Sequence, residues 1–406
     1  MKKTVYWLLT GCLCIATAQD FGVPARSTVG VGTRAFAMGN NYVALSDDAS
    51  AMFWNPAGLA FTPVREFYAA MSGFSNGIET EFKENGLASP NSSNKPRVRP
   101  NLIALLRAIP TSRGGFAMAF GFQNPYICDD ILKYNYRVSG EWDLMNYRAF
   151  GQLNLWTASF GLQVAPDFGA GAAVSLITGR NTMRIAPNML FYESGIEQSY
   201  LGADVRAGIL YSMFDRMKIG LRIELPQFLI FDEEYTVEMA LDSSVEEQNN
   251  GRLKTGTAGA FGVSYRFPFM LVSAEVKART PIPDADDETV YSFWKVGCGA
   301  GIEIPLFVKL FFIRAGYSWQ ELDRYPMLIE YDTPPAGFNP DVHIDTKKNE
   351  HLITAGLAFM SRHGLSFDFS YGFRFWEIDS YPPYGGGTVN EVHKSQFFQS
   401  SFAIRY

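Results

Sequence analysis

Thiols are scarce in this 406-residue chain: there are four Cys, and Cys12 and Cys14 fall within its first fifteen positions. Only Cys128 and Cys298 remain, so no disulfide scaffold holds the fold. Cys298 lies in a strand pattern and Cys128 in a loop pattern, and the two are expected to stay apart. The four His (His343, His351, His363 and His393) are scattered without metal-ligand spacing. The chain has no phosphate-binding Gly-Lys-Ser/Thr loop and no His-Glu-x-x-His helix. These absences predict no enzyme, no catalytic residues, no cofactor and no metal. The acidic run Asp284, Asp286, Asp287 and Glu288 fits a solvated loop better than a cation site. A net charge of −6 gives no basic patch for nucleic acid. Beyond the first twenty residues no run of about 18 apolar residues exists, so no helix spans a membrane. Membrane strands are not excluded, because about 10 alternating residues suffice for one.

The first residues are built for export. Met1, Lys2 and Lys3 are followed by an apolar stretch to Ile15 and by the small-x-small site Ala16-Thr17-Ala18, so residues 1–18 are expected to be a cleaved signal peptide. Leu9-Thr10-Gly11-Cys12 also resembles a lipobox, but cleavage there would leave only eleven signal residues.

Aromatic residues are abundant at 15%, with 33 Phe and 20 Tyr. They alternate with polar residues. Phe367, Phe369, Tyr371, Phe373 and Phe375 share one face of a period-two run, and Ser366, Asp368, Ser370, Gly372 and Arg374 share the other. Met217 to Leu225 does the same. Only a strand with two unlike faces has this period. Fourteen such strands are expected near 65–74, 99–109, 114–123, 152–164, 168–179, 200–213, 217–225, 254–266, 269–279, 291–304, 307–319, 350–361, 365–376 and 394–406. Short connections alternate strictly with long ones, as they do in outer-membrane barrels. The predicted fold is therefore all-β: a 14-stranded antiparallel transmembrane barrel over residues 65–406, with both ends on the periplasmic side. A charge facing lipid at mid-membrane costs roughly 2–4 kcal/mol. The alternating charges, among them Asp204, Arg206, Arg222, Glu224, Glu275, Glu303, Arg314, Asp368 and Arg374, are thus expected to line the lumen. Trp156, Trp294, Tyr317, Trp319 and Trp376 are expected in aromatic girdles. Phe398, Phe402 and the final Tyr406 resemble the terminal signal read by the barrel assembly machinery.

Residues 19–64 break the strand pattern. They are rich in small residues and too few to fold alone. They are expected to form an N-terminal hatch with short helices inside the barrel. The stretch from Gly32 to Leu59, with its core Asp47-Asp48-Ala49-Ser50-Ala51 and Asn55-Pro56-Ala57, resembles the N-terminal signature of the FadL-type outer-membrane superfamily. That superfamily includes long-chain fatty-acid and aromatic-hydrocarbon transporters and PorV-like relatives. The resemblance implies that a hydrophobic compound is captured by extracellular loops, reaches a pocket near the hatch, and leaves sideways through a gap in the wall. It puts Asp47, Asp48, Asn55, Pro56 and Ala57 in the hatch, close to ligand. A capture surface is expected at Phe228, Leu229, Ile230, Phe231, Tyr381 and Tyr384, since exposed apolar loop residues mark binding surfaces. Passive uptake of hydrophobic compounds is the expected function. The expected partners are outer-membrane lipid, a hydrophobic small molecule and the assembly machinery. Trp54 is closer to the PorV-like branch, which leaves open a secretion-associated adaptor that binds a protein partner and transports nothing.

Overall fold

A computed structural model describes residues 27–62, 64–84, 87–109, 111, 114–138, 141–187, 192–214, 216–239, 243–282, 294–307, 310–321, 327–331, 349–380 and 388–406. The proposed signal peptide, the acidic run, His343, Tyr381 and Tyr384 lie outside these residues.

Fourteen antiparallel strands close into one barrel. In chain order they are β1 (Arg65–Glu84), β2 (Leu87–Ile109), β3 (Phe116–Gln123, resuming at Asp130–Val138), β4 (Glu141–Ala165), β5 (Phe168–Pro187) and β6 (Tyr192–Met213). Then come β7 (Met217–Glu224, resuming at Phe228–Met239), β8 (Ser243–Thr255 and Ala258–Arg266), β9 (Leu271–Arg279) and β10 (Lys295–Leu306). The last four are β11 (Phe311–Glu321, with Met327–Tyr331), β12 (Asn349–Met360), β13 (Leu365–Ser380) and β14 (Thr388–Arg405). Closure pairs β1 with β14, Glu66 standing opposite Arg405. Closure joins the first strand to the last, so the sheet has no free end strands, as a wall in hydrocarbon requires.

The two faces of each strand sort as the alternation predicts. On β13, Phe367, Phe369, Tyr371 and Phe375 are exposed on the outside, while Ser366, Asp368, Ser370 and Arg374 are buried inside. The outer aromatics pair across strands: the Tyr371 and Phe398 rings lie 4.9 Å apart, and those of Phe367 and Phe402 lie 5.0 Å apart. Each such pair contributes about 0.2–1 kcal/mol. Inside, buried charges find polar partners, several of them ion pairs, as burial demands. Arg206 meets Asp204 at 3.0 Å and Glu224 at 3.2 Å, and Arg314 meets Glu303 at 2.7 Å and also pairs with Asp368.

The structure corrects several expectations. The long segments 75–98, 124–151, 180–199 and 226–253 are mostly strand, because neighbouring strands continue their ladders well past the apolar belt. Above the hydrocarbon both faces can be polar, so the apolar alternation fades while the hydrogen bonds go on. Trp376 is on the lumen side, stacked on the buried His393 with 4.5 Å between rings, and takes no part in an outer girdle. Cys128 is buried and Cys298 exposed, and no disulfide joins them.

Residues 29–62 fill the lumen as a plug. Its elements are α1 (Thr33–Ala37), α2 (Ala51–Trp54) and a 3-10 turn at Pro56–Phe61, where the Asn55 side chain caps the Ala57 N–H. Pro at the first helical position costs no hydrogen bond there. The plug backbone comes so near the wall that inward wall positions have to be glycine. A Cβ on Gly220 would stand 2.5 Å from the Val43 carbonyl oxygen, one on Gly301 2.6 Å from that of Met38, and one on Gly161 2.6 Å from the Ala60 nitrogen. Gly220→Val should therefore leave the barrel closed but unseat the plug, with a loss of about 1–3 kcal/mol from overpacking. Urea unfolding and planar-bilayer conductance test this; wild-type stability with wild-type conductance would refute the packing argument.

Candidate functional site

Side chains of the wall hold the plug by its backbone. The Asn101 amide on β2 accepts from the Gly32 N–H and donates to the Gly30 carbonyl, both at 2.9 Å. Glu275 on β9 accepts from the Val43 N–H at 3.0 Å, Glu66 on β1 accepts from the Ala49 N–H at 3.1 Å, and Thr354 on β12 donates to the Ala37 carbonyl at 3.0 Å. Arg222 on β7 donates to the Phe53 carbonyl at 3.3 Å. So short a segment has irregular backbone, and these bonds satisfy polar groups that no helix or sheet partners. The sequence analysis missed these anchors. Their only signal was a lone polar residue on the inward face of a strand, which looks the same whatever it binds.

The predicted hatch residues come together, each with a structural task. Asp48 accepts from the Tyr42 hydroxyl at 2.8 Å and from the Ser50 N–H at 2.9 Å, closing the turn before α2. Asp47 pairs with Arg34, whose guanidinium also reaches Glu303 on β10 at 2.8 Å. Arg34 thereby ties two parts of the plug to the wall. Asn55 donates to the carbonyls of Val43 at 2.9 Å and Ile209 on β6 at 3.0 Å. Pro56 and Ala57 are buried against Gly171 on β5. Trp54 donates its indole N–H to the Val31 carbonyl at 2.7 Å. A cavity lies at each end of the plug. The one toward the short turns, about 230 Å³, is lined by Arg34, Asp47, Asp48, Tyr68 and Asp368. The one toward the long hairpins, about 140 Å³, is lined by Phe53, Trp54, Lys277, Glu350 and Arg374. Among the described residues no group of three or more His, Cys, Asp or Glu is placed to hold a metal.

Among the described residues, the wall is broken at the third strand. The β2–β3 ladder runs from Ile109 opposite Phe116 up to Leu102 opposite Gln123 and stops. There the chain turns inward: Tyr126–Ile127 pairs with Ser27–Thr28 just before the plug. When β3 resumes at Asp130 it pairs only with β4, and the upper half of β2 pairs only with β1. Pro96 and Pro100 lie in that upper half. Proline has no N–H to give a ladder and is confined to such edges. Side chains close the break. Asp129 receives Arg99 at 2.5 Å, Arg97 at 3.3 Å and the Gly151 N–H of β4 at 3.0 Å, and Arg99 donates back to the Gly151 carbonyl at 2.7 Å. The Arg97 guanidinium rests 4.1 Å from the centre of the Phe150 ring. Asp129 is thus a latch between β2 and β4.

The residues expected to form a loop capture surface are differently placed. Phe228 to Phe231 belong to the upper part of β7, where a ladder with β6 and β8 imposes the two-residue period. Phe228 and Ile230 are therefore exposed on the outside, and Leu229 and Phe231 are buried inside. The inner pair joins Tyr126, Leu153, Leu155, Ile177 and Tyr200 in an apolar cluster that packs against the inturned segment beside the latch.

Burial alone would raise the Asp47 carboxyl pKa, but Arg34, with Lys218 and Arg405 behind it, holds it well below the ordinary carboxylate range. A carboxylate depressed in the folded state contributes stability that is complete above its unfolded pKa of about 3.9 and is lost as pH falls through the folded value. The Asp47 anchor should thus hold from neutral pH to about pH 4 and weaken only in stronger acid. Asp47→Asn should lower stability at pH 7 while flattening that acid limb. An unchanged pH–stability curve in the variant would count against the anchor.

No family model and no curated protein sequence matches the chain. Solved structures do. The toluene transporter TodX of P. putida is 13% identical with a TM-score of 0.68, over 94% of this chain and 99% of that one. A FadL homologue of Pseudomonas aeruginosa is 14% identical with a TM-score of 0.65, over 92% and 98%. The toluene transporter TbuX of Ralstonia pickettii is 12% identical with a TM-score of 0.60, over 94% and 99%. Closure, strand number and near-complete coverage agree: the chain has the fold of the FadL and toluene-transporter barrels.

Proposed function

We propose that the protein is an outer-membrane channel for passive uptake of hydrophobic compounds, delivered to that membrane after removal of residues 1–18 and inserted by the barrel assembly machinery. The observation that carries this reading is the break in the third strand, beside a plugged lumen. A plug tied to the wall around its perimeter is a poor through-route, and a compound that prefers hydrocarbon gains by leaving sideways. Such a compound enters between the long hairpins, on the extracellular side. It collects on the apolar cluster of Leu153, Ile177, Leu229 and Phe231, as ligand pockets are mostly apolar. It then passes the inturned Tyr126–Ile127 segment and exits where Arg97, Arg99 and Asp129 part. Asp47, Asp48, Asn55, Pro56 and Ala57 hold the floor of this path. Neutral aromatic hydrocarbons and fatty acids are the substrate classes proposed, by analogy with the toluene transporters and the FadL homologue. The adaptor reading draws no support from the comparisons.

Each bond to the Asp129 charge is worth about 1.5–3 kcal/mol. Since 1.4 kcal/mol is tenfold in an equilibrium, Asp129→Asn should raise the open population, and with it uptake of labelled toluene or oleate, by about tenfold. Cells lacking their own hydrophobic-compound channel provide the assay. Uptake no better than in cells without the protein would remove the transport reading. Uptake at wild-type rate in both Asp129→Asn and Arg99→Ala would remove the lateral exit.

A further inference from the structure

The six short turns form a rim at one end of the barrel, and the rim is lopsided. Three adjacent turns carry exposed phenylalanine: Phe214 between β6 and β7, Phe267 and Phe269 between β8 and β9, and Phe307 between β10 and β11. Phe214 is 87% exposed and Phe307 75%. The other three turns show Thr111 and Gly114, Pro166 and Asp167, and Arg362 to Gly364.

The backbone makes this arc more telling. Phe214 and Phe307 have φ of 52° and 44°, in the left-handed region, whereas the corresponding left-handed positions in two of the polar turns are Gly114 and Gly364. A bulky side chain is disfavoured there and glycine is the default. A ring that is kept at such a position, turned outward and fully displayed, has its use outside the barrel.

Two observations say what covers it. The arc is continuous with the lipid-facing wall: Phe267 packs on the outward Tyr265 at 4.6 Å between rings, and Phe307 on the outward Phe311 at 6.0 Å. Two exposed arginines lie within it, Arg216 and Arg266, joined by a backbone hydrogen bond of 2.7 Å, the Arg266 side chain also bordering the cavity at this end of the plug. Aromatic rings one step beyond an apolar belt, with exposed arginines at the same level, suit the headgroup layer of a bilayer containing anionic phospholipid.

We infer that the β6–β11 side of the short-turn rim is immersed in the phospholipid headgroup layer of the adjacent leaflet while the opposite turns stand in water, so that the barrel is tilted in its membrane. The full chain, with Cys12, Cys14, Cys128 and Cys298 each replaced by Ser, is reconstituted in vesicles of phosphatidylethanolamine and phosphatidylglycerol. Single cysteines replace Phe214, Phe307, Thr111 or His363 and carry an environment-sensitive fluorophore. Phe269→Cys, whose backbone is not left-handed, reads the same arc if a cysteine at 214 or 307 prevents folding. Labels at 214, 307 and 269 should emit to the blue of those at 111 and 363, and be quenched at least about twofold more by headgroup-nitroxide lipid. Equal emission and quenching at all positions would overturn the inference, as would water-like emission at 214, 307 and 269.

Discussion

A backbone N–H or C=O in hydrocarbon has no water to fall back on, and most of this structure follows from that constraint. Every strand in the apolar belt must be paired on both sides, so the sheet closes. Closure gives the strands an inside and an outside, and the cost of a charge facing lipid fixes which is which. The lumen thereby collects the charges, and the charges must find one another: Arg206 with Asp204 and Glu224, Arg314 with Glu303 and Asp368. Those facing pairs are not spent on neutralising the wall alone. Glu303 also holds Arg34, and Glu275 and Glu66 hold plug N–H groups, so one set of buried carboxylates serves both wall and plug.

The plug obeys the same rule from the other direction. It has too little regular structure to satisfy itself, and it survives because the wall supplies acceptors and donors at its level. Close approach is what makes those bonds short, and glycine on the inward face is what permits close approach. The aromatic pairs outside and the glycines inside are therefore two faces of one strand design, one filling lipid-facing area and the other removing bulk.

Where the ladder fails, the constraint shows most plainly. The upper edge of β2 has no ladder to β3, the inturned part of β3 pairs with Ser27–Thr28 instead, and Pro90, Pro96 and Pro100 reduce the number of donors in that stretch of β2. Asp129 and the two arginines replace the missing bonds with side-chain bonds. Side chains can exchange partners without unzipping a sheet, so a wall closed in this way can open locally where a fully laddered wall cannot. This difference links the fold to the transport reading, because a lateral route needs one weak seam in a strong wall.

Much of the fold was legible in the residues. The period-two runs, as on β13 and β7, specified strands, their faces and, through alternating connection lengths, their number. The stretch from Gly32 to Leu59 singled out Asp47, Asp48 and Asn55 because local turns and caps depend on neighbours in sequence. Other features were illegible because they depend on partners distant in the chain. Phe228 to Phe231 read as a loop until the β6 and β8 ladders showed two apolar side chains outside and two inside. Trp376 read as girdle until His393 took its face. The Asp129 latch joins residues from β2, β3 and β4, and neither Arg99 nor Gly151 carries any mark of it. Sequence alone determined that this chain makes a two-faced closed wall, since alternation is a property of one strand and its solvent. Only the tertiary structure decided where the wall is broken and what holds the plug, since a contact across the lumen depends on register, closure and which inward residues meet.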